Sequence, residues 1–187
     1  MAAIIGRVGP CRMQQREADF NSLTRSIVYQ QLSGKAAATI FGRVVEAAKC
    51  DPLTPKAVLK IQPERLRAAG LSQQKASYVR DLAEKTRDGV VEFSRLAFLS
   101  DDEVITHLTQ VKGVGVWTAQ MLLMFALGRP DVLPVADLGI RNAMQKAYVL
   151  DAPPKAKEME ALAEKWRPYR TVACWYLWRS LDGPAAL

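Results

Sequence analysis

Two glycines one residue apart restrict this chain more than any other feature. Gly113 and Gly115 stand inside Leu108-Thr-Gln-Val111-Lys112-Gly113-Val114-Gly115-Val116-Trp117-Thr118-Ala119, between two runs with helical spacing. A chain that ends one helix and starts another across so few residues must turn through a backbone that residues with a Cβ avoid, and glycine permits it. Leu108, Val111 and Val114 supply the apolar wedge between the two helices, and Ala119 is small where they pack. The same geometry leaves backbone N–H groups at Gly113, Val114 and Gly115 open to an anion, beside the positive N-terminal end of the next helix. Lys112 adds a charge there, and Thr118 sits in the first turn that faces the ligand. The stretch thus reads as a sequence-independent clamp for a DNA phosphate. A ligand-free αα-corner built on glycines is the alternative.

Charge agrees with a polyanionic partner. In 187 residues, 26 Lys and Arg outnumber 19 Asp and Glu, for a net charge of +7. That balance bears on association and not on fold. The apolar run near Met1 is too short for a signal peptide, and no segment approaches the about 20 continuous apolar residues of a membrane helix. Cys11, Cys50 and Cys174 are far apart, with no CxxC spacing, which argues against a disulfide framework or a zinc site. Three thiolates do not complete an iron–sulfur cluster. The expected setting is the reducing cytoplasm, at the nucleoid of a bacterial cell.

Periodicity is helical nearly throughout. A helix from about Glu17 carries Phe20, Leu23 and Ile27 to Gln30-Gln31, and a second runs from Gly34 to Ala48. Pro55 and Pro63 open short helices, the second ended by Gly70. Ser72 caps a helix with Ala76, Val79, Leu82 and Ala83 on one face, stopped by Gly89. Ser100-Asp-Asp-Glu103 is a capping box before the glycine hairpin. An apolar helix follows from Val116 to Leu127, then helices near Leu138–Val149, Lys155–Trp166 and Tyr169–Leu181. No run keeps strand alternation. The expectation is an all-α fold of about ten helices, in two lobes: residues about 20–127, and residues about 1–19 with about 128–187.

Eighteen residues beyond Ala119, within Pro134-Val-Ala-Asp137-Leu-Gly-Ile-Arg141, comes an acid that opens a helix. Leu108 to Arg141 resembles the helix–hairpin–helix DNA glycosylases, whose signature is such a hairpin, a Gly/Pro-rich loop and an Asp. The closer similarity is to the 3-methyladenine DNA glycosylase II (AlkA-like) branch. Ile27-Val-Tyr-Gln-Gln-Leu-Ser33, Ala69-Gly-Leu-Ser72 with Lys75-Ala76, and Trp166-Arg-Pro-Tyr-Arg170 with Trp175-Tyr-Leu-Trp178 also match it. The resemblance covers about residues 17–181. It lacks the prototype's N-terminal β-rich domain and so reads as a minimal form.

The resemblance implies a two-lobed fold holding double-stranded DNA with a damaged base in the cleft, acting as a monomer with no membrane association. Asp137 becomes the catalytic carboxylate for N-glycosidic hydrolysis of alkylated purines of the 3-methyladenine or 7-methylguanine type. Bifunctional relatives carry a nucleophilic Lys two residues after the second hairpin glycine; Trp117 stands there, which implies no strand nicking. Trp117 and Trp178 match positions lining the flipped-base pocket, Met121 stands where the prototype is aromatic, and Tyr29 and Tyr176 are further candidates. Gln31, with Leu32, takes the place of the wedge that fills the hole in the duplex; a polar Gln31 can hydrogen-bond the orphaned base. Backbone carbonyls of Thr109, Val111 and Gly113 match those that hold a monovalent cation, Na+ or K+. No cofactor is required and no iron–sulfur cluster is implied. Arg141 and Arg170 stand to contact DNA, brace Asp137 or lie in solvent, and His107 reads as a surface residue near phosphate.

Two other readings remain at this level. An oxidised-base glycosylase or glycosylase–lyase of the same superfamily is disfavoured by Trp117 and by the three cysteines. A catalytically silent DNA-binding module with the same hairpin is disfavoured by Asp137 and the paired tryptophans.

Overall fold

The computed structural model describes residues 1–181, and among them every regular element is helical. Eleven α-helices are present. In chain order they are α1 (Ala2–Val8), α2 (Phe20–Tyr29), α3 (Gly34–Ala48), α4 (Pro55–Leu59), α5 (Pro63–Ala68) and α6 (Gln73–Arg87), then α7 (Asp101–Leu108), α8 (Val116–Phe125), α9 (Leu138–Tyr148), α10 (Ala156–Ala163) and α11 (Arg170–Leu181). Short 3-10 turns occupy Phe93–Phe98 and Glu164–Trp166.

Local chemistry sets most boundaries. Asp19, Ser33, Thr54 and Ser72 each accept the N–H three residues on, so α2, α3, α4 and α6 start where a side-chain oxygen satisfies an otherwise orphaned donor. Ser100 and Glu103 complete the reciprocal capping box of α7. Asp19 moves the start of α2 to Phe20, three residues after the expected Glu17. The apolar helix stops at Phe125, short of Leu127, where the chain turns toward Gly128 at φ 65°. α1 was not legible: it buries no residue and has no side-chain cap, so no periodic apolar face announces it.

The chain forms two compact units, divided within α8. One is continuous, Arg16–Leu122. In it α6 packs against α2, α4 and α5, and its Val79, Leu82 and Ala83 are wholly buried with Leu23, Ile27, Val58 and Leu66. The other combines Met1–Gln15 with the chain from Leu123 onward. There α11 packs on α9 and α1, around Ile140, Met144, Met159, Cys174 and Leu177. Each buried Leu or Ile contributes about 1.5–3 kcal/mol of apolar burial, which holds the loops described next. Among the described residues no helix is long and apolar enough to cross a membrane.

Candidate active site and nucleic-acid interface

In the unit Arg16–Leu122, the hairpin between α7 and α8 is anchored from three sides. Gly113 lies at φ 78°, directly under the Tyr78 ring: a Cβ there would fall 2.0 Å from Tyr78 Cδ2. Asp81 of α6 accepts the Lys112 N–H at 2.8 Å and pairs with Lys85 Nζ at 2.7 Å. Burial raises the Asp81 carboxyl, but its hydrogen bonds from Lys85 and the Lys112 backbone and the charges of both lysines outweigh that, leaving its pKa below the usual value. Gln30 Nε2 donates to the Gly113 carbonyl at 2.9 Å.

These partners change which amides face a ligand. The Lys112 N–H is taken by Asp81 and the Val114 N–H by the Val111 carbonyl, at 3.0 Å. The Val114 side chain is buried. What the turn leaves for an anion is therefore the Gly113 and Gly115 N–H groups, beside the N-terminal end of α8. Gly115 is exposed and has open space where a Cβ would stand. Lys112 Nζ lies 3.7 Å from Asp81, so part of its charge is already matched.

The same unit carries a groove of about 530 Å³. Tyr29, Gln31, Trp117, Thr118 and Met121 all line it, together with Gln30 and Arg25. Residues separated by some ninety positions in sequence are thus brought to one surface. Thr118 is largely buried and Trp117 half exposed. One face of Tyr29 is already covered: the Arg25 guanidinium lies 3.9 Å from the ring centre and donates to the hydroxyl at 2.7 Å. Gln31 stands exposed at φ 56°, and Leu32 is exposed beside it.

The carbonyls of Thr109, Val111 and Gly113 are neutral oxygen donors, the type that suits a hard monovalent ion. Two already accept hydrogen bonds, Val111 from Val114 N–H and Gly113 from Gln30, and each carbonyl has a second lone pair for a further partner.

The other unit builds the carboxylate. Asp137 is the N-cap of α9: its Oδ1 accepts the Ile140 N–H at 2.8 Å and the Trp178 indole N–H at 3.0 Å. The residue is 8% exposed. Gly139 makes this possible, because a Cβ there would come within 3.0 Å of Trp178 Cδ1 and 3.1 Å of Asp137 Oδ1. Phe125 packs on Trp178, ring centres 5.8 Å apart. Cys174 beside them is held protonated, its pKa pushed up to about 12 by burial and then by the Asp137 charge.

The loop that delivers Asp137 is pinned by the start of α11. Thr171 Oγ1 donates to Arg129 O at 2.7 Å and accepts Val132 N–H at 3.0 Å, and its N–H reaches Pro130 O. Arg170 grips Asp131 with two side-chain bonds, at 2.6 and 2.9 Å, and Arg167 adds a third at 2.7 Å. Arg170, for which a DNA contact, a brace for Asp137 and a solvated charge all stood open, braces Asp131 in the loop that leads to Asp137. Arg141 donates to the Pro154 carbonyl. His107 is corrected as well: half-buried, it accepts the Glu92 N–H at 3.0 Å and so fastens the Phe93–Phe98 turn. Tyr176 donates to the Gly9 carbonyl, a structural tie to the N-terminal segment.

Burial alone would raise the Asp131 carboxyl, yet the Arg170 hydrogen bonds and the charges of Arg170 and Arg167 bring its pKa below the ordinary value. Its pairing therefore stabilises the fold above the usual Asp range, and that contribution is lost as pH falls through the lowered pKa. Asp131→Asn should be less stable than wild type near neutrality. The two melting temperatures should converge below about pH 4, measured by thermal denaturation across the acid range.

Local patterns missed Asp81, Lys75, Gln30 and Gly139. Asp81 and Lys85 look like an exposed i,i+4 pair, and nothing in the sequence marks Asp81 as the anchor of a turn 31 residues on.

The model for HhH-GPD superfamily base excision DNA repair proteins matches residues 24–168, a span that includes the hairpin and Asp137. YfjP of Bacillus subtilis is 33% identical over 170 residues, which cover 87% of this chain and 59% of that protein; the chain thus spans under two thirds of that relative's length. A DNA-3-methyladenine glycosidase structure from Bacillus halodurans has a TM-score of 0.87 and 36% identity, over 99% of this chain and 85% of the other. The 3-methyladenine DNA glycosylase Mag1 of Schizosaccharomyces pombe, in complex with abasic DNA, has a TM-score of 0.83 and 34% identity, over 96% of this chain and 89% of the other. The chain belongs to the HhH-GPD superfamily of base excision DNA repair proteins.

Proposed function

We propose that this protein is a monofunctional DNA glycosylase of the 3-methyladenine DNA glycosylase II type, which hydrolyses the N-glycosidic bond of alkylated purines in double-stranded DNA. The observation that carries the reading is the carboxylate of Asp137, buried and oriented by the Ile140 and Trp178 N–H groups. The similarity to glycosylases named for 3-methyladenine supports the substrate class.

The hairpin grips a phosphate through the Gly113 and Gly115 N–H groups, beside the N-terminal end of α8, with no readout of sequence. The damaged base is turned out of the stack, and Gln31 with Leu32 takes its place. The Trp117 and Met121 groove offers apolar and aromatic surface to the base. An N-alkylated purine already carries positive charge, so the glycosidic electron pair leaves with the base and neutralises it. No general acid is needed. The sugar becomes an oxocarbenium-like cation, which the carboxylate of Asp137 stabilises. Water adds at the anomeric carbon and loses a proton toward Asp137. With Trp117 where a Schiff-base lysine would stand, the reaction stops at the abasic site. The chemistry uses no cofactor; Na+ or K+ at the carbonyls of Thr109, Val111 and Gly113 would serve only to stiffen the hairpin.

The test is base release from N-methylpurine duplex DNA, with strand breaks scored before and after alkali and with borohydride present. Free methylpurine, breaks only after alkali and no trapped adduct are expected. Trapping, or no release from any alkylated duplex, would reject the reading.

Gly139→Ala probes the carboxylate's orientation. Alanine gains about 0.5–1 kcal/mol over glycine in a helix, but crowding Trp178 and Asp137 and loosening their hydrogen bond costs about 1–3 kcal/mol, so the melting temperature should fall by a few degrees. Its Cβ presses the Trp178 indole from Asp137, and single-turnover release should fall roughly tenfold.

A further inference from the structure

Between Tyr29, the end of α2, and Gly34, the start of α3, the chain turns through Gln31 at φ 56°, in the left-handed region. A residue with a Cβ stays there only where its surroundings hold it. The closing carbonyls of a helix also lack partners within it. Here one ammonium meets both needs. Lys75 Nζ, from the first turn of α6, donates to the Val28 carbonyl at 2.8 Å and to the Gln30 carbonyl as well. It stands at the negative end of the α2 dipole. Its partners are these two carbonyls, with no carboxylate among the described residues. Burial lowers its pKa, the ordinary consequence of withdrawing an ammonium from water. From the same loop, the Gln30 amide reaches the Gly113 carbonyl of the hairpin. One loop is therefore tied to α6 by a lysine and to the phosphate-gripping turn by a glutamine.

We propose that Lys75 is a positioning residue for this loop: by holding the Val28 and Gln30 carbonyls it keeps Gln31 in its left-handed backbone and Gln30 on Gly113, so that the side chain entering the duplex stays in register with the turn gripping the phosphate. The proposal rests on the reading of Gln31 as that side chain, and on no chemistry at Asp137.

Its test uses binding alone, so that it stands or falls separately from base release. Affinities are measured for a duplex with one tetrahydrofuran abasic-site analogue and for the same duplex undamaged. The proteins are wild type, Lys75→Met, Lys75→Arg, Gln31→Ala and the Lys75→Met/Gln31→Ala double variant. Wild type should prefer the abasic duplex. Lys75→Met should lose about tenfold of that preference, as should Gln31→Ala, and the double variant should lose no more than either, the signature of residues acting as one. Affinity for undamaged duplex should not change, which a general structural role would not predict. Lys75→Arg, which keeps charge and donors, should retain part of the preference. If Lys75→Met does not fold, Lys75→Arg replaces it in the cycle, with a smaller loss that likewise vanishes on Gln31→Ala. Losses that multiply in the double variant, an equal loss on both duplexes, or a wild type with no abasic preference would each overturn the proposal.

Discussion

Asp137→Asn should reduce single-turnover release of methylated purine about a thousandfold, the scale on which a positioned carboxylate acts on a developing cation, while leaving the protein folded. The two halves of that expectation come from the same two hydrogen bonds. Asparagine is as good an N-cap as aspartate, and its Oδ1 can accept the Ile140 and Trp178 N–H groups that now meet the carboxylate. What it lacks is charge. Losing a negative charge at the start of α9 costs about 0.3–1 kcal/mol through the helix dipole, a shift of a few degrees in melting temperature for a chain of this size. Asp137→Ala separates the roles from the other side. It removes the acceptor too, leaves the Trp178 indole N–H without this partner, and should cost about 1–3 kcal/mol in stability. Equal activity in Asp137→Asn and wild type would remove Asp137 from the chemistry. Equal instability of the Asn and Ala variants would remove the capping argument.

How much of this was legible depends on the range of the interaction. Ser72, Ser100 and Asp137 act on N–H groups three residues away, so caps and helix starts could be read directly. The α3 boundaries, Gly34 to Ala48, follow from Ser33 and the alanine-rich run and agree with expectation. The hairpin was legible because two glycines in three residues have few other uses. Its anchoring was not. The Gln30 amide meets the Gly113 carbonyl across 83 positions and Lys75 reaches Gln30 across 45, and neither bond leaves a periodic trace. Arg170 shows the same limit: from sequence it stood equally as a DNA contact, a brace for Asp137 or a solvated charge, and only the fold gives it Asp131, the acid that pins the preceding loop. Gly139 is subtler. Two residues past a cap, within helix α9, a glycine looks like a weak helix former; only the Trp178 ring against it explains the missing Cβ.

The two hairpin glycines should separate in the same way, because they are glycine for different reasons. Gly113→Ala puts a Cβ 2.0 Å from the Tyr78 ring at a backbone φ of 78°. The left-handed backbone costs about 1–2 kcal/mol for a residue with a Cβ, and overpacking against a ring held between α6 and the turn adds about 1–3 kcal/mol. A loss of about 2–5 kcal/mol follows, enough to lower the melting temperature by roughly ten degrees and to abolish duplex binding, because the displaced turn no longer presents the Gly115 N–H. Gly115→Ala meets no atom within 4 Å and does not sit at positive φ, so its melting temperature should stay within about a degree or two of wild type. Its methyl group projects instead into the space a phosphate would use, and affinity for any duplex should fall about tenfold, whatever the sequence. Truncating the ring tests the clash itself: Tyr78→Ala in the Gly113→Ala background should recover part of the lost stability, leaving the backbone term. If Gly115→Ala were instead the variant that unfolds, or if Tyr78→Ala recovered nothing, then packing against Tyr78 would not be what makes residue 113 glycine.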